Sequence, residues 1–573
     1  MLSFARTSDT IAATTKKLEK IGLVATYLRS IPLDQAAIAA VFLSGRPFPA
    51  YEETTLQVGG SLLWRTIGEL SGQSETELTE IYRRFGDAGS VAEAALAKEA
   101  IQDKAVPDVS PSSLSLSDVQ HAFRELAAAR GPAAKAALLR QLLVRATPLE
   151  AKYIVKIISG DLRIGLKESL VEEAIARAFD APLADVKRAN MLLGDLGETL
   201  SLAANGKLAD ARLRIFHPMD FMLASPVESA EEALSYFANA SIEDKYDGIR
   251  AQAHVSGGEA RIFSRTRDEI TESFPELPPA LAGFPKDVIL DGEIVAWNAA
   301  DARALPFSAL QQRLGRKKVS SKLMHEVPVA YFVFDILYAN RELLLDRPLR
   351  ERAQVLSDLF AAPRTAVIPR LAAQSTLAFE DSRPESLEDS FARVLRAPAA
   401  TANSTEHLEA LFTAARDRGN EGLMIKDLDS LYTPGRRGKS WLKMKRELAT
   451  LDVVVTAVEY GHGKRIGVLS DYTFAVWDGE RLVNIGKAYS GLTDAEIAEM
   501  TKWFLAHKIR DHGLSLEVEP KIVLEVAFNN MMRSPRHESG YALRFPRIVR
   551  LRPDKRPEDA DTIETVREIF NKQ

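Results

Sequence analysis

The chain holds no cysteine among its 573 residues. Disulfides, catalytic thiols, iron–sulfur clusters and cysteine-ligated zinc are excluded together. Its 9 histidines are scattered, so a histidine-based metal centre stays possible but no cluster announces one. A carboxylate- or water-bound Mg²⁺ needs neither residue and remains open. No window approaches 18 apolar residues, and the opening MLSFARTSDTIAATTKK lacks the apolar run of a secretory signal. A soluble, intracellular protein with no membrane partner is expected. Gly 32 and Pro 27 are too few for a collagen-like or wholly disordered chain. There is no basic excess either: 74 basic against 79 acidic residues gives a net charge of -5. That total does not advertise a nucleic-acid binder, but the field that matters is local.

The remaining composition, 46% apolar and 27% charged, is that of an ordinary globular protein. The length exceeds what one core supports and predicts three or four domains. Residues 1 to about 205 carry apolar spacings of three and four, as in SVAEAALAKEAI and SLVEEAIARAF, and predict helices. Asp103–Ser115, rich in Pro and Ser, predicts a loop within them. From about 240, β-branched and aromatic runs such as DVILDGEIVAW and VAYFVFDILY predict strands mixed with helices. From about 452, short strands dominate, with one helix near Asp494–Ala506, the texture of a small closed or partly closed barrel. Basic residues gather in three places. Thr433–Arg446 has six and no acid, Arg544–Arg556 has six against Asp554, and Arg313–Lys322 has five.

The sharpest chemistry lies in Lys245-Tyr246-Asp247-Gly248-Ile249-Arg250. A lysine beside an Asp-Gly turn can be held where a phosphate must approach, and the following arginine can grip its oxygens. Ser264-Arg265, Asp291-Gly292-Glu293 and Phe334-Asp335 each end a strand-like run. Glu421-Gly422-Leu423-Met424-Ile425-Lys426 follows, then Ser440-Trp441-Leu442-Lys443-Met444-Lys445. Strand alternation sends Lys443 and Lys445 to one face. Two ammonium groups there suit an anion between them, although a solvent-facing strand reads the same way.

The ordered set KYDGIR, FSR, DGE, FDILY, EGLMIK, SWLKMK and RPDK resembles the covalent nucleotidyltransferases, specifically the ATP-dependent DNA ligases. TPLEAKYIVKIISGDLRIGLKESLVEEAIARAF is similar to the helical DNA-binding domain of the larger ligases, and LRFPRIVRLRPDKRPEDADT to their closing motif. The resemblance implies an all-α DNA-binding domain (1–217), an α+β, ATP-grasp-like adenylation domain (218–447) and an all-β OB-fold domain (448–573). It implies that Lys245 attacks the α-phosphate of ATP and holds AMP as a phosphoramidate. Glu243 matches the adenine-recognising acid, Phe334 the aromatic stacked on the purine, and Arg250 and Arg265 the phosphate- and ribose-contacting arginines. Glu293 and Glu421 match the acids that contact ribose or a metal, Mg²⁺ or Mn²⁺. Lys443 and Lys445 face the α-phosphate, while Arg552, Asp554 and Lys555 match the motif that orients pyrophosphate. Lys152, Lys156, Arg163 and Lys167 become candidates for phosphate contacts to duplex DNA, independent of sequence.

A free lysine, with a pKa of about 10.4, is a poor nucleophile at neutral pH. Desolvation and nearby cations lower that value, and Arg250, Lys443 and Lys445 are the expected neighbours. The partner implied is nicked double-stranded DNA, sealed by a monomer in the cytoplasm, at the nucleoid. A swinging OB domain predicts a hinge near residues 447–452. The long helical region argues against RNA ligases and capping enzymes, which share the nucleophile. The absent cysteines argue against NAD-dependent ligases, which usually carry a four-cysteine zinc site. A non-catalytic strand-binding scaffold has no need of Lys245, Glu293, Glu421, Lys443 and Lys445 together. The segment Pro363–Ser390 looks longer than the family usually carries there.

Overall fold

Capping boxes punctuate the first part of the chain. Ser74, Ser115 and Thr147 each accept a backbone N–H from the third residue on, whose carboxylate returns the bond. The computed structural model describes residues 1–52, 54–97, 114–237, 239–316, 318–363, 393–445, 449–462 and 465–571. Most of the Asp103–Ser115 loop, the 363–390 segment beyond Pro363, and residues 446–448 of the expected hinge lie outside the described residues. From Leu2–Ala13 to Leu196–Ala204 the described secondary structure is helical, as the apolar spacing predicts. The helices converge on Phe4, Phe42, Phe123 and Tyr153, all fully buried, with rings edge-on at 5.6 to 6.4 Å.

Two compact units divide the chain: residues 1–190, 195–211 and 447–573 form one, residues 191–194 and 212–446 the other. Within the first, the helices and the C-terminal strands keep separate hydrophobic cores.

The second unit is built on two sheets. One is ordered β1-β12-β11-β2-β10, comprising Leu223–Val227, Arg437–Lys445, Gly422–Asp427, Ala240–Lys245 and Ala399–Ala400. The other is ordered β4-β3-β5-β7-β8: Glu259–Ser264, Ile249–Ser256, Val288–Asn298, Val329–Ala339 and Glu342–Leu343. The sequence KYDGIR crosses between them. Lys245 ends β2 in the first sheet and Ile249-Arg250 opens β3 in the second. Gly248 makes the crossing possible, because a Cβ there lies 2.2 Å from the Ile294 carbonyl oxygen and 2.9 Å from Glu293 Cγ. Packing follows strand alternation. Leu442 and Met444 of β12 join a core with Leu408 and Phe412 of helix Thr405–Asp417, leaving Trp441, Lys443 and Lys445 on the opposite face.

In the C-terminal part, β13 (Ala449–Tyr460) is central. One edge pairs with β14 (Leu469–Asp478); the other pairs first with β18 (Val523–Phe528), then with β17 (Ser515–Val518). Such a strand must bend, and its ladder to β14 slips at Val455/Ala457 and Glu459/Tyr460. The predicted helix is Asp494–Ala506. A second one, Ile563–Asn571, was not anticipated; its Ile563 and Val566 are buried in the barrel core. Its pattern is strongly amphipathic but follows the polar RPDKRPEDADT run, which masks it.

Candidate active site

A pocket opens between the two sheets, lined by Glu243, Lys245 and Lys443 from one and by Arg250, Glu293 and Phe334 from the other. Register explains the first group. β11 pairs Gly422 with both Lys245 and Lys445, and Met424 with both Glu243 and Lys443. The nucleophile candidate is thus two strands from the lysine pair. Gly422, at φ +149°, has no room for a side chain: a Cβ would lie 2.2 Å from the Met444 carbonyl oxygen. Glu421, just before it, accepts a hydrogen bond from Lys245 Nζ. The closest charged partner of Lys245 is therefore a carboxylate rather than the expected cations. The depressed ammonium is that of Lys443, lowered by burial and then by Lys445 and Lys245.

In the second sheet, Arg250 stands opposite Glu293. Its Nε and Nη2 donate to the two Asp291 oxygens at 3.1 and 2.8 Å, and Nη1 to the Met222 carbonyl at 2.6 Å. Three of five N–H donors are thereby used, and the others remain for a ligand. Burial opposes its charge, but Asp291 outweighs it and holds the guanidinium above its ordinary range. Glu293 is half-buried, and desolvation pushes its carboxyl up to about 8, with Lys245 and Arg250 pulling the other way. Phe334 is aimed by a bulge. Asp291 pairs with Asp335 and Gly292 with Val333, so Phe334 is the extra residue of β7. Arg265 is exposed at the pocket wall.

Among the pocket residues given no role by the sequence reading are Lys426, Arg437 and Tyr246. Lys426 ends the EGLMIK motif and Arg437 lies in the basic stretch Thr433–Arg446, and strand alternation from Met424 and Lys443 was the available signal. Tyr246 stacks on Phe332 with centroids 4.5 Å apart. Lys445 shares the face of Lys443 but is not among the lining residues.

The remaining candidates lie in the other unit. Arg552 reaches Asp452 at 2.9 Å and Asp554 at 2.8 Å, and Lys555 reaches Asp452 at 2.7 Å. Arg552 holds the Asp554 carboxyl down to about 2. The basic stripe of the helical domain differs from expectation. Lys156 is buried beside Asp87 at 3.3 Å, and Lys152 lies between Asp9 at 2.8 Å and Glu93 at 3.0 Å. Both charges are neutralised inside the domain, by acids contributed from distant helices. Arg163 donates to the Gly86 carbonyl, and Lys167 is exposed ahead of helix Glu168–Ala178.

Residues 221–445 match the family model of the ATP dependent DNA ligase domain; residues 1–176 match the DNA ligase N terminus and 465–555 the ATP dependent DNA ligase C terminal region. A probable DNA ligase of Koribacter versatilis is 59% identical over all of this chain and 97% of its own length. The chain belongs to the ATP-dependent DNA ligases. A DNA ligase of Methanothrix thermoacetophila is 36% identical over all of this chain and 98% of its own length. The solved structure Pmar-Lig_PreS3 shares the fold, with a TM-score of 0.60 at 17% identity over 96% of this chain and 99% of that one. The ligase accordingly uses ATP and seals 5′-phosphate/3′-hydroxyl nicks through a covalent lysyl-AMP and a DNA-adenylate. Its all-α, α+β and β-rich parts follow the family order. Among the described residues no helix is long and apolar enough to cross a membrane.

Proposed function

We propose that Lys245 is the lysine that carries AMP. The observation supporting it is the convergence of Lys245, Glu421, Glu293, Lys443 and Phe334 on one pocket. The Lys245 amine attacks the α-phosphorus, the N–P bond forms, and the P–O bond to pyrophosphate breaks. The ammonium proton must leave first, and Glu421, which already accepts it as a hydrogen bond, is the base in reach. Lys443, crowded by two cations, gains when a phosphate comes between them, and Lys445 adds to that field. Arg250 and Arg265 bind phosphate and ribose, Phe334 stacks on the purine, and Glu243 accepts from its edge. Arg552, Asp554 and Lys555 orient the pyrophosphate.

Glu293 and Glu421 are hard oxygen donors, and the Glu421 charge adds to the cost of ionising Glu293. Two such carboxylates beside a phosphate site suit Mg²⁺, or Mn²⁺, and they are the residues that would hold it. Bound there, the cation would neutralise phosphate charge. AMP next passes to the 5′-phosphate of the nick, and the 3′-hydroxyl then displaces it. In the helical domain, Lys167 and Arg163 are the better candidates for duplex phosphates, since Lys152 and Lys156 are internally paired. The separate cores support domains near 1–217, 218–447 and 448–573. The working form is a monomer on nicked DNA, in the cytoplasm at the nucleoid.

Incubation with α-labelled ATP, GTP or NAD and Mg²⁺, followed by denaturation, tests this reading. Label is expected from ATP, dependent on Lys245. Label surviving Lys245→Ala, or arising only from GTP, overturns it.

A further inference from the structure

Lys426 has no part in the steps above, yet it is 1% exposed and sits at the pocket. Its ammonium donates to Glu243 Oε2 at 2.6 Å. It also lies 4.2 Å from the ring centroid of Phe334 and 4.4 Å from that of Trp441. Burying an ammonium is costly, and a well-packed apolar residue is commonly as stable or more so. Two aromatic faces and one carboxylate make this cation tolerable, but they do not explain why a cation is here. Lys426 pairs across β11 with Ser241 and Trp441, and Ser241 Oγ donates to the other Glu243 oxygen at 3.3 Å. Glu243 is thus gripped at both oxygens from within the protein.

We infer that Lys426 is a positioning residue for base selection: it holds Glu243 as an ionised acceptor at the purine edge, favouring a 6-aminopurine over a 6-oxopurine. An ionised carboxylate only accepts hydrogen bonds, whereas a protonated one also donates. The 6-amino group of adenine donates; the 6-oxo group of guanine accepts. Facing a carboxylate, the 6-oxo group finds a second acceptor and is left unpaired in a desolvated site, which is a strong basis for rejection. Burial drives Glu243 toward its neutral form, and Lys426 is the largest influence opposing it. Without the lysine the acid can keep its proton and serve the 6-oxo group. Phe334 and Trp441 fix the ammonium, so the acceptor is set before nucleotide arrives.

The inference rests on Lys245–AMP formation and on Glu243 at the purine edge. Wild-type enzyme is therefore assayed first with ATP and GTP; if it forms no adenylate from ATP, the Lys245 reading fails and not this one. Lys426→Met keeps the length and removes the charge. Its KM for ATP in lysyl-AMP formation is expected to rise about ten-fold or more, with kcat changed less than about three-fold. Its ATP-over-GTP preference should fall about ten-fold, and Lys426→Arg should recover part of it. If Lys426→Met does not fold, as read by its melting curve, Lys426→Gln gives the same comparison. In a Glu243→Gln background the same substitution should alter the preference less than about two-fold, because an amide needs no counter-ion. An unchanged preference, or an equal loss in both backgrounds, overturns the inference.

Discussion

Two sets of lysines in this ligase look alike in the sequence and end differently. Lys443 and Lys445 alternate on a strand; Lys152 and Lys156 stand four apart on a helix. The first pair shares one strand face, with Lys443 lining a pocket and its charge made uncomfortable by burial and by its neighbours. The second pair is met by Asp9, Glu93 and Asp87, acids brought from other helices, although burial still lowers the Lys156 ammonium. An unbalanced cation waits for a ligand, whereas a balanced one holds a fold together. The sequence spacing does not distinguish them; the counter-ion does.

That contrast can be pressed hardest at Lys245. Lys245→Ala should give no denaturation-resistant label from ATP and no sealing of a plain nick, while the melting temperature stays near wild type. Lys443→Ala comes next, lowering lysyl-AMP formation by about 10²-fold, as losing one preorganised charge at a developing oxyanion does; single-turnover labelling measures it.

Glu293 offers a test through pH. Its carboxyl has a folded value of about 8 against an ordinary 4.5, so below the ordinary value it is protonated whether folded or not. Between the two, only the folded protein keeps the proton. Stability from this group is therefore full in acid and lost as pH rises toward 8. Melting curves of the metal-free protein at about pH 5 and about pH 8 should differ by up to a few kcal/mol, and Glu293→Gln should remove part of that slope. A slope unchanged in the variant refutes the assignment.

On the balanced side, Lys156→Ala leaves the mostly buried Asp87 without its counter-ion, held only by its capping bonds from Ser90. It should lower stability by about 2–3 kcal/mol in denaturant unfolding, with the salt dependence of nick binding unchanged. Lys167→Ala should do the reverse and by the least: no change in melting, and a salt slope of binding smaller by about 1. If Lys156 and Lys167 exchanged these behaviours, the distinction drawn from their partners would collapse.

Strand alternation and motif order made much of the site readable beforehand. Glu243, Lys245 and Lys443 line one wall because β2, β11 and β12 pair in a register their alternating sequences permit. Phe334 was legible as a motif, but its aim depends on a bulge that only the pairing with Asp291 and Gly292 reveals. Lys426 and Arg437 were hidden by being lysine and arginine in strands already credited with chemistry. The internal pairing of Lys152 and Lys156 was hidden because the partners are far away in the chain, Asp9 and Glu93 for Lys152 and Asp87 for Lys156. The closing helix Ile563–Asn571 was obscured by the polar run before it.

The six residues of KYDGIR are the one place where motif and architecture coincide, since they leave one sheet and enter the other. Glu243 and Lys245 belong to the first sheet; Arg250, Glu293 and Phe334 belong to the second. In the proposed mechanism, AMP attached to Lys245 and stacked on Phe334 would be a strut spanning a seam in the domain. The charged intermediate should be mechanically stiffer than the empty enzyme, with slower hydrogen exchange along β2 and β7, and transfer of AMP to the nick would remove that brace and return the seam to its softer state.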